Sequence, residues 1–167
     1  ITDSFSSRIL VSEVSSSWSM DFTCLSICPV SFAKRVNLFS TISGKKKLNG
    51  GGIILSGHTD VVPEGDVSSW SCDPFGGEIK NGLLYGRGAA DMKTAVAAFV
   101  IAAKEVSKEF FFDGALVIML TGDEEADATD GTVAILDWMK ANDESMSVCL
   151  VGEPTCSEAM GDTIKIG

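Results

Sequence analysis

Ile53-Ile54-Leu55-Ser56-Gly57-His58-Thr59-Asp60 is the stretch that decides the fold of this chain. Its first three residues are a short continuous apolar run, the pattern of a strand buried on both faces. The run then breaks into a glycine, a histidine and an aspartate. The same figure recurs twice downstream. Residues 115–120 (Ala-Leu-Val-Ile-Met-Leu) run into Gly122-Asp123-Glu124-Glu125, and residues 148–151 (Val-Cys-Leu-Val) run into Gly152-Glu153-Pro154. A fourth strand is expected to begin over 163–166. Helical spacing fills the intervals. Met92, Ala95, Val96, Phe99, Val100, Ala103 and Val106 predict a helix over 92–108, apolar nearly all round between Ala95 and Ala103 and so expected to be largely buried. Asp130 or Thr132 can cap a second helix whose apolar face is marked by Val133, Leu136 and Met139. Glu78-Ile79-Lys80 and Leu83-Leu84-Tyr85 flank Asn81-Gly82, a strong hairpin signal. Strands alternating with helices predict an α/β fold, a mainly parallel mixed sheet with flanking helices.

Residues 1–50 are less legible. They are rich in serine, with Ser15-Ser16-Ser17 as one cluster, and show no sustained period. An apolar stretch near 25–32 is interrupted by Pro29, and a strand is expected only around 36–42. Lys45-Lys46-Lys47 and Gly50-Gly51-Gly52 predict a solvated turn.

Composition excludes several classes. A chain of 167 residues, 45% hydrophobic and 22% charged, can bury a core and is not a disordered polymer. Its net charge of -10 argues against nucleic acid as the partner, because phosphate binding needs a basic face. The charge is uneven. Residues 1–50 hold three acids and six bases, a balance of +3, and residues 51–167 hold 20 acids and seven bases, a balance of -13. Five cysteines in no framework spacing predict no disulfide scaffold, and Cys24-x-x-x-Cys28 lacks the second Cys/His pair of a structural zinc site. No uncharged apolar run reaches the roughly 18 residues of a membrane span. No signal peptide is visible, so the expected location is the cytoplasm.

The acids are placed as well as numerous. Ligands of open α/β sheets bind beyond the carboxyl ends of the strands. Three strand ends there deliver His58, Glu124, Glu125 and Glu153, and Asp91 opens the long helix after Gly86-Arg87-Gly88. Each has a plainer alternative: a satisfied polar histidine, a wet acidic loop, a turn acid before proline. Gly86-x-Gly88 lacks the third glycine of a dinucleotide turn. Their coincidence at one sheet edge favours a joint role. Carboxylates crowded together repel, and Arg87 and Lys93 are too few to neutralise them. A divalent cation resolves the conflict. One imidazole among carboxylates suits zinc, and two ions about 3.5–4 Å apart would use this many acids. Asp60, two residues past His58, is placed to accept the far imidazole N–H and orient the ring. Glu124 and Glu125 leave a strand as neighbours, so their side chains are expected to diverge, one to a metal and one towards a water. A metal lowers the pKa of a bound water from about 15.7 towards 7, and a free glutamate can take its proton.

Three segments carry a family resemblance: Ser56-Gly57-His58-Thr59-Asp60-Val61-Val62-Pro63, Trp70 with Asp73-Pro74-Phe75, and Leu84-Tyr85-Gly86-Arg87-Gly88-Ala89-Ala90-Asp91-Met92-Lys93. They resemble the dinuclear-zinc aminoacylase and carboxypeptidase superfamily. Gly131-Thr132-Val133, Val151-Gly152-Glu153-Pro154-Thr155 and residues 161–167 are most similar to its desuccinylase branch, with the acetylornithine deacetylases as a sister group. The resemblance covers about residues 51–167. It implies a zinc-exopeptidase-like catalytic domain that removes succinate from N-succinyl-LL-2,6-diaminopimelate with two zinc ions per full-length subunit, cobalt being an alternative. It implies His58 and Glu153 on the first metal, Asp91 bridging both, Glu125 on the second, Glu124 as general base, Asp60 as orienting acid and a cis Asp91–Met92 peptide. It also implies a homodimer built through a separate dimerisation domain and a second histidine ligand, neither found within residues 1–167. The second site is therefore expected to be incomplete, and this chain inactive, by itself. Residues 1–35 do not resemble the family's N-terminal helix, and Thr94 stands where a glycine is expected.

Overall fold

The computed structural model describes residues 25–32, 35–44, 51–109, 112–159 and 161–166. The strands are β1 (Leu25–Phe32), β2 (Arg35–Ser43), β3 (Gly52–His58), β4 (Glu78–Lys80), β5 (Leu83–Tyr85), β6 (Ala115–Thr121) and β7 (Val148–Val151). Two helices, α1 (Thr94–Glu109) and α2 (Thr132–Ala141), follow β5 and β6.

Five strands form one sheet in the order β1-β2-β6-β3-β7. β3 lies between β6 and β7 and is parallel to both, with His58 opposite Thr121 and Ser56 opposite Val151. β2 runs antiparallel to β6, and β1 antiparallel to β2. The sheet is thus mixed, and parallel where β3, β6 and β7 meet. Their carboxyl ends consequently fall on one edge. The apolar stretch around Pro29 is β1, the outer strand among the described residues. A proline, which cannot donate to a ladder, is tolerated in that position.

Side chains alternate across the sheet. Ile54, Val117 and Met119 pack with Phe39, Ile135 and Met139 in the core under α2, with Trp138 and Met146 beside them. The Phe39 and Trp138 rings lie 5.1 Å apart at a tilt. α1 covers the opposite face, and its approach depends on two glycines. A Cβ on Gly57 would lie 2.7 Å from Met92 Cε and 2.9 Å from Val96 Cγ2. A Cβ on Gly152 would lie 2.8 Å from both Ala95 Cβ and Met92 Cε. Each glycine immediately precedes a candidate ligand, so the contact that seats α1 also sets Asp91 against His58 and Glu153.

The hairpin forms as predicted, with Asn81 and Gly82 both at positive φ. The strand expected around 36–42 forms as β2. Other expectations need correction. α1 begins at Thr94 rather than Met92, because Ala89–Lys93 is a wide turn with extended dihedrals at Asp91 and Met92. It is buried along one side only: Ala103 is covered, whereas Ile101 and Val106 are exposed. α2 has no side-chain cap from Asp130 or Thr132. Gly131 stands at its boundary, where a Cβ would lie 2.2 Å from the Asp123 carbonyl oxygen. Its buried face is Ala134, Ile135 and Met139, while Val133 and Leu136 point outward. β7 is the sheet edge among the described residues, so Val148, Leu150 and Val151 are exposed rather than buried on both faces. Residues 163–166 form no strand and pair with none of the strands among the described residues, and Ile164 and Ile166 are exposed. The lysine turn over 45–47, the serine cluster and Cys24 lie outside the described residues.

Candidate metal centre

His58 is the hub of the site. It ends β3, is 1% exposed, and its backbone N–H donates to Met92 Sδ at 3.3 Å. Its Nδ1 is 2.9 Å from the Asp60 carbonyl oxygen, an acceptor that fixes Nδ1 as the protonated nitrogen and turns Nε2 towards the acids. Three carboxylates surround Nε2: Asp91 Oδ1 at 3.0 Å, Glu153 Oε1 at 3.3 Å and Glu124 Oε2 at 4.0 Å. Two overlapping groups, His58 with Asp91 and Glu153 and His58 with Glu124 and Glu125, have ligand atoms all within 4.8 Å of one another. All five residues expected to share the sheet edge are therefore brought together. The peptide between Asp91 and Met92 is cis.

Two local expectations differ from the geometry. Glu124 and Glu125 do not diverge. The chain bends over 124–126 instead of continuing as a strand, so side-chain alternation lapses and both carboxylates reach the neighbourhood of His58. Asp60 meets the imidazole through its main-chain carbonyl. Its carboxylate Oδ1 is 3.7 Å from Nδ1, while Oδ2 accepts the backbone N–H groups of Glu124 at 2.9 Å and Glu125 at 3.0 Å.

The electrostatics are those of a site short of positive charge. Burial opposes protonation of His58, yet the Asp60 carbonyl and the Asp91, Glu153 and Glu124 carboxylates outweigh it and hold the ring above its usual value. Glu153 is likewise pushed up, first by burial and then, against the pull of His58, by Asp91 and Glu124. Lys93 Nζ donates to the Thr59 carbonyl, and burial lowers its pKa. Arg87 is turned away, stacked 5.1 Å over the Trp70 ring with Nη2 towards the Glu64 carbonyl. Trp70, Asp73 and Pro74 thus build the flanking loop: Trp70 Nε1 also donates to the Glu64 carbonyl, Asp73 accepts Phe75 N–H and Pro74 accepts Arg87 N–H. One imidazole and four carboxylates converging with no matching cation among the described residues are a donor set that fits hard or borderline divalent metals.

The sequence pattern missed Asn37. It is 1% exposed in β2, its Nδ2 donates to the Asp130 carbonyl at 2.7 Å, and its Oδ1 accepts Gly122 N–H at 3.2 Å. Nothing in the local pattern of residues 35–43 signals partners so far along the chain.

The sequence profile of peptidase family M20/M25/M40 matches residues 54–167, which include His58 and all four of these carboxylates. The chain belongs to that family. It is 65% identical over 113 residues to a succinyl-diaminopimelate desuccinylase of Cereibacter sphaeroides, a match covering 68% of this chain and 30% of that protein. It is 59% identical over 113 residues to the enzyme of the same name from Ruegeria pomeroyi, with the same coverage of 68% and 30%. The matched part thus spans about 30% of the length of these curated relatives. Among solved structures, the fold resembles an M20 family metallo-carboxypeptidase from Sulfolobus solfataricus, with a TM-score of 0.63 at 20% identity over 77% of this chain and 28% of that one. It also resembles human carnosine dipeptidase 1, with a TM-score of 0.65 at 18% identity over 89% of this chain and 33% of that one. These likenesses establish an α/β exopeptidase-like fold. Among the described residues no helix is long and apolar enough to cross a membrane.

Proposed function

We propose that residues 51–167 are the front part of the catalytic domain of a metal-dependent amide hydrolase that removes succinate from N-succinyl-LL-2,6-diaminopimelate. One observation carries the chemistry: four carboxylates from three further segments converge on a single buried imidazole. The high identity to desuccinylases supports that choice of substrate.

His58, Asp91 and Glu153 would hold one zinc ion, Asp91 would also reach a second, and Glu125 would bind that second ion, with cobalt as the alternative metal. When bound, such ions polarise an amide carbonyl and supply positive charge where negative charge develops. The protein's own groups do the rest. Glu124, half exposed and 4.0 Å from His58 Nε2, takes a proton from the water that attacks the succinyl carbonyl. It returns that proton to the amine nitrogen as the C–N bond breaks, releasing succinate and the free diamine. Asp60 fixes the tautomer of His58 through its carbonyl. The complete protein is proposed to be a cytoplasmic homodimer with a separate dimerisation domain.

The test is hydrolysis by the complete protein with zinc, comparing N-succinyl-LL-2,6-diaminopimelate with N-acetylornithine. Release of succinate with a clear preference for the first substrate is expected. A preference for N-acetylornithine would move the protein to the sister deacetylases, and hydrolysis of neither would overturn the assignment.

A further inference from the structure

The two acids attributed to the second metal and to proton transfer lie on a loop, 122–130, that is gripped from two sides. On one side is Asp60. Its Oδ2 accepts the backbone N–H of Glu124 and of Glu125, and its Oδ1 is buried 3.7 Å from His58 Nδ1 with no hydrogen-bond partner among the described residues. The imidazole of His58 is served by the Asp60 carbonyl at 2.9 Å. On the other side is Asn37, whose single amide group joins Gly122 at one end of the loop to Asp130 at the other. Asp123 closes the loop internally, its Oδ2 accepting Asp130 N–H at 2.9 Å.

We propose that Asp60 is also a positioning residue for the acidic loop, its carboxylate acting through the main-chain amides of Glu124 and Glu125, while Asn37 pins the loop's two ends. Neighbouring carboxylates repel, and an unanchored loop would relieve that repulsion by splaying them apart. Two successive N–H groups aimed at one carboxylate oxygen form charge-assisted bonds that fix the backbone instead. The loop is then set before any metal arrives, and the side chains of Glu124 and Glu125 pay little further ordering entropy when one binds. Asn37 precedes the span matched by the family profile, so part of the platform lies outside residues 54–167. The functional consequence rests on the hydrolase assignment above; the positional claim does not.

Amide hydrogen exchange and imidazole nitrogen NMR on the metal-free 167-residue chain test it. Asp60→Ala is expected to speed exchange at Glu124 and Glu125 by about tenfold or more, as a lost charge-assisted bond requires. The His58 Nδ1–H resonance, held by a main-chain acceptor, is expected to persist. Asp60→Asn keeps one oxygen acceptor and should restore protection of both amides to within about threefold of wild type. Unchanged exchange at Glu124 and Glu125 in Asp60→Ala, or loss of the His58 signal with the loop amides intact, would overturn the proposal. Should Asp60→Ala not fold, Asp60→Glu gives the same contrast: it keeps the charge, displaces the oxygens by one methylene, and is expected to deprotect the two amides. No metal enters these measurements, so their failure is distinct from a failure of the hydrolase assignment.

Discussion

Replacing Gly152 with alanine puts a methyl where α1 crosses the end of β7. The new Cβ would lie 2.8 Å from Ala95 Cβ, 2.8 Å from Met92 Cε and 2.9 Å from Phe99 Cε2. Carbon atoms in good contact stand about 3.5–4.0 Å apart, so all three neighbours must yield by most of an ångström. Ala95 can do so only if the helix moves. Met92 is fully buried, and its sulfur accepts the His58 backbone N–H at 3.3 Å. The displacement therefore runs directly into the His58 cluster. Overpacking of this kind costs about 1–3 kcal/mol. With a urea m-value of about 2 kcal/mol/M, the unfolding midpoint should fall by about 0.5–1.5 M at constant slope. Zinc affinity should fall with it, because Asp91 rides on the displaced segment. A double-mutant cycle isolates the cause. Met92→Ala removes one of the clashing groups, so Gly152→Ala should cost less in that background, with a coupling of about 0.5–3 kcal/mol. Unfolding of Gly152→Ala indistinguishable from wild type, or additivity with Met92→Ala, would refute the idea that this glycine seats α1 against the site.

Ile135→Ala, at a position with no exposed surface in the core under α2, should destabilise the chain by about 2–5 kcal/mol in the same urea assay. In the complete protein Glu124→Gln should lower kcat by about 10²–10⁴-fold while bound zinc, counted by atomic absorption, is retained; normal turnover would remove Glu124 as the general base. The pH dependence has a definite sign. Metal-free His58 titrates above its ordinary 6.5, so the folded state holds that proton more tightly than the unfolded state. Its contribution to stability is full below about pH 6.5 and is lost as the pH rises through the raised value. Zinc uptake runs the opposite way, because it needs the neutral ring. Calorimetric melting should therefore show the metal-free Tm falling upward from about pH 6.5 while the increment produced by zinc grows, and His58→Ala should flatten both trends.

The parallel core and the convergence of His58 with the acids at the sheet edge were legible in the sequence for a common reason. A strand such as β3 announces itself by a continuous apolar run, and the residue types just past its end are those delivered to the sheet edge. The hairpin was legible because Asn81 and Gly82 tolerate the positive φ that a two-residue turn needs. The features that escaped depend on partners distant in the chain. Asn37 places a polar side chain on the buried side of β2, which breaks the alternation by which a strand is recognised, and its partners lie 85 and 93 residues away. Apolarity alone does not say which face is covered. Val148, Leu150 and Ile101 have the composition of core residues and stand exposed, because β7 is an edge among the described residues and α1 packs along one side. The boundary of α1 was misplaced because the turn around the cis Asp91–Met92 peptide carries apolar residues in helical spacing without helical dihedrals. The bend at 124–126, which sends two neighbouring glutamates the same way, likewise depends on the Asp60 carboxylate waiting 64 and 65 residues earlier.

The central claim is that the acids at this sheet edge are gathered to hold a divalent cation, and calorimetric titration of the 167-residue chain with zinc tests it most directly. Saturable, tight uptake is predicted, lost in His58→Ala and in Asp91→Ala, and kept when exposed acids remote from the edge, such as Glu105, are neutralised. Weak, unsaturable binding that follows total negative charge and survives His58→Ala would contradict it, leaving the cluster a solvated acidic surface.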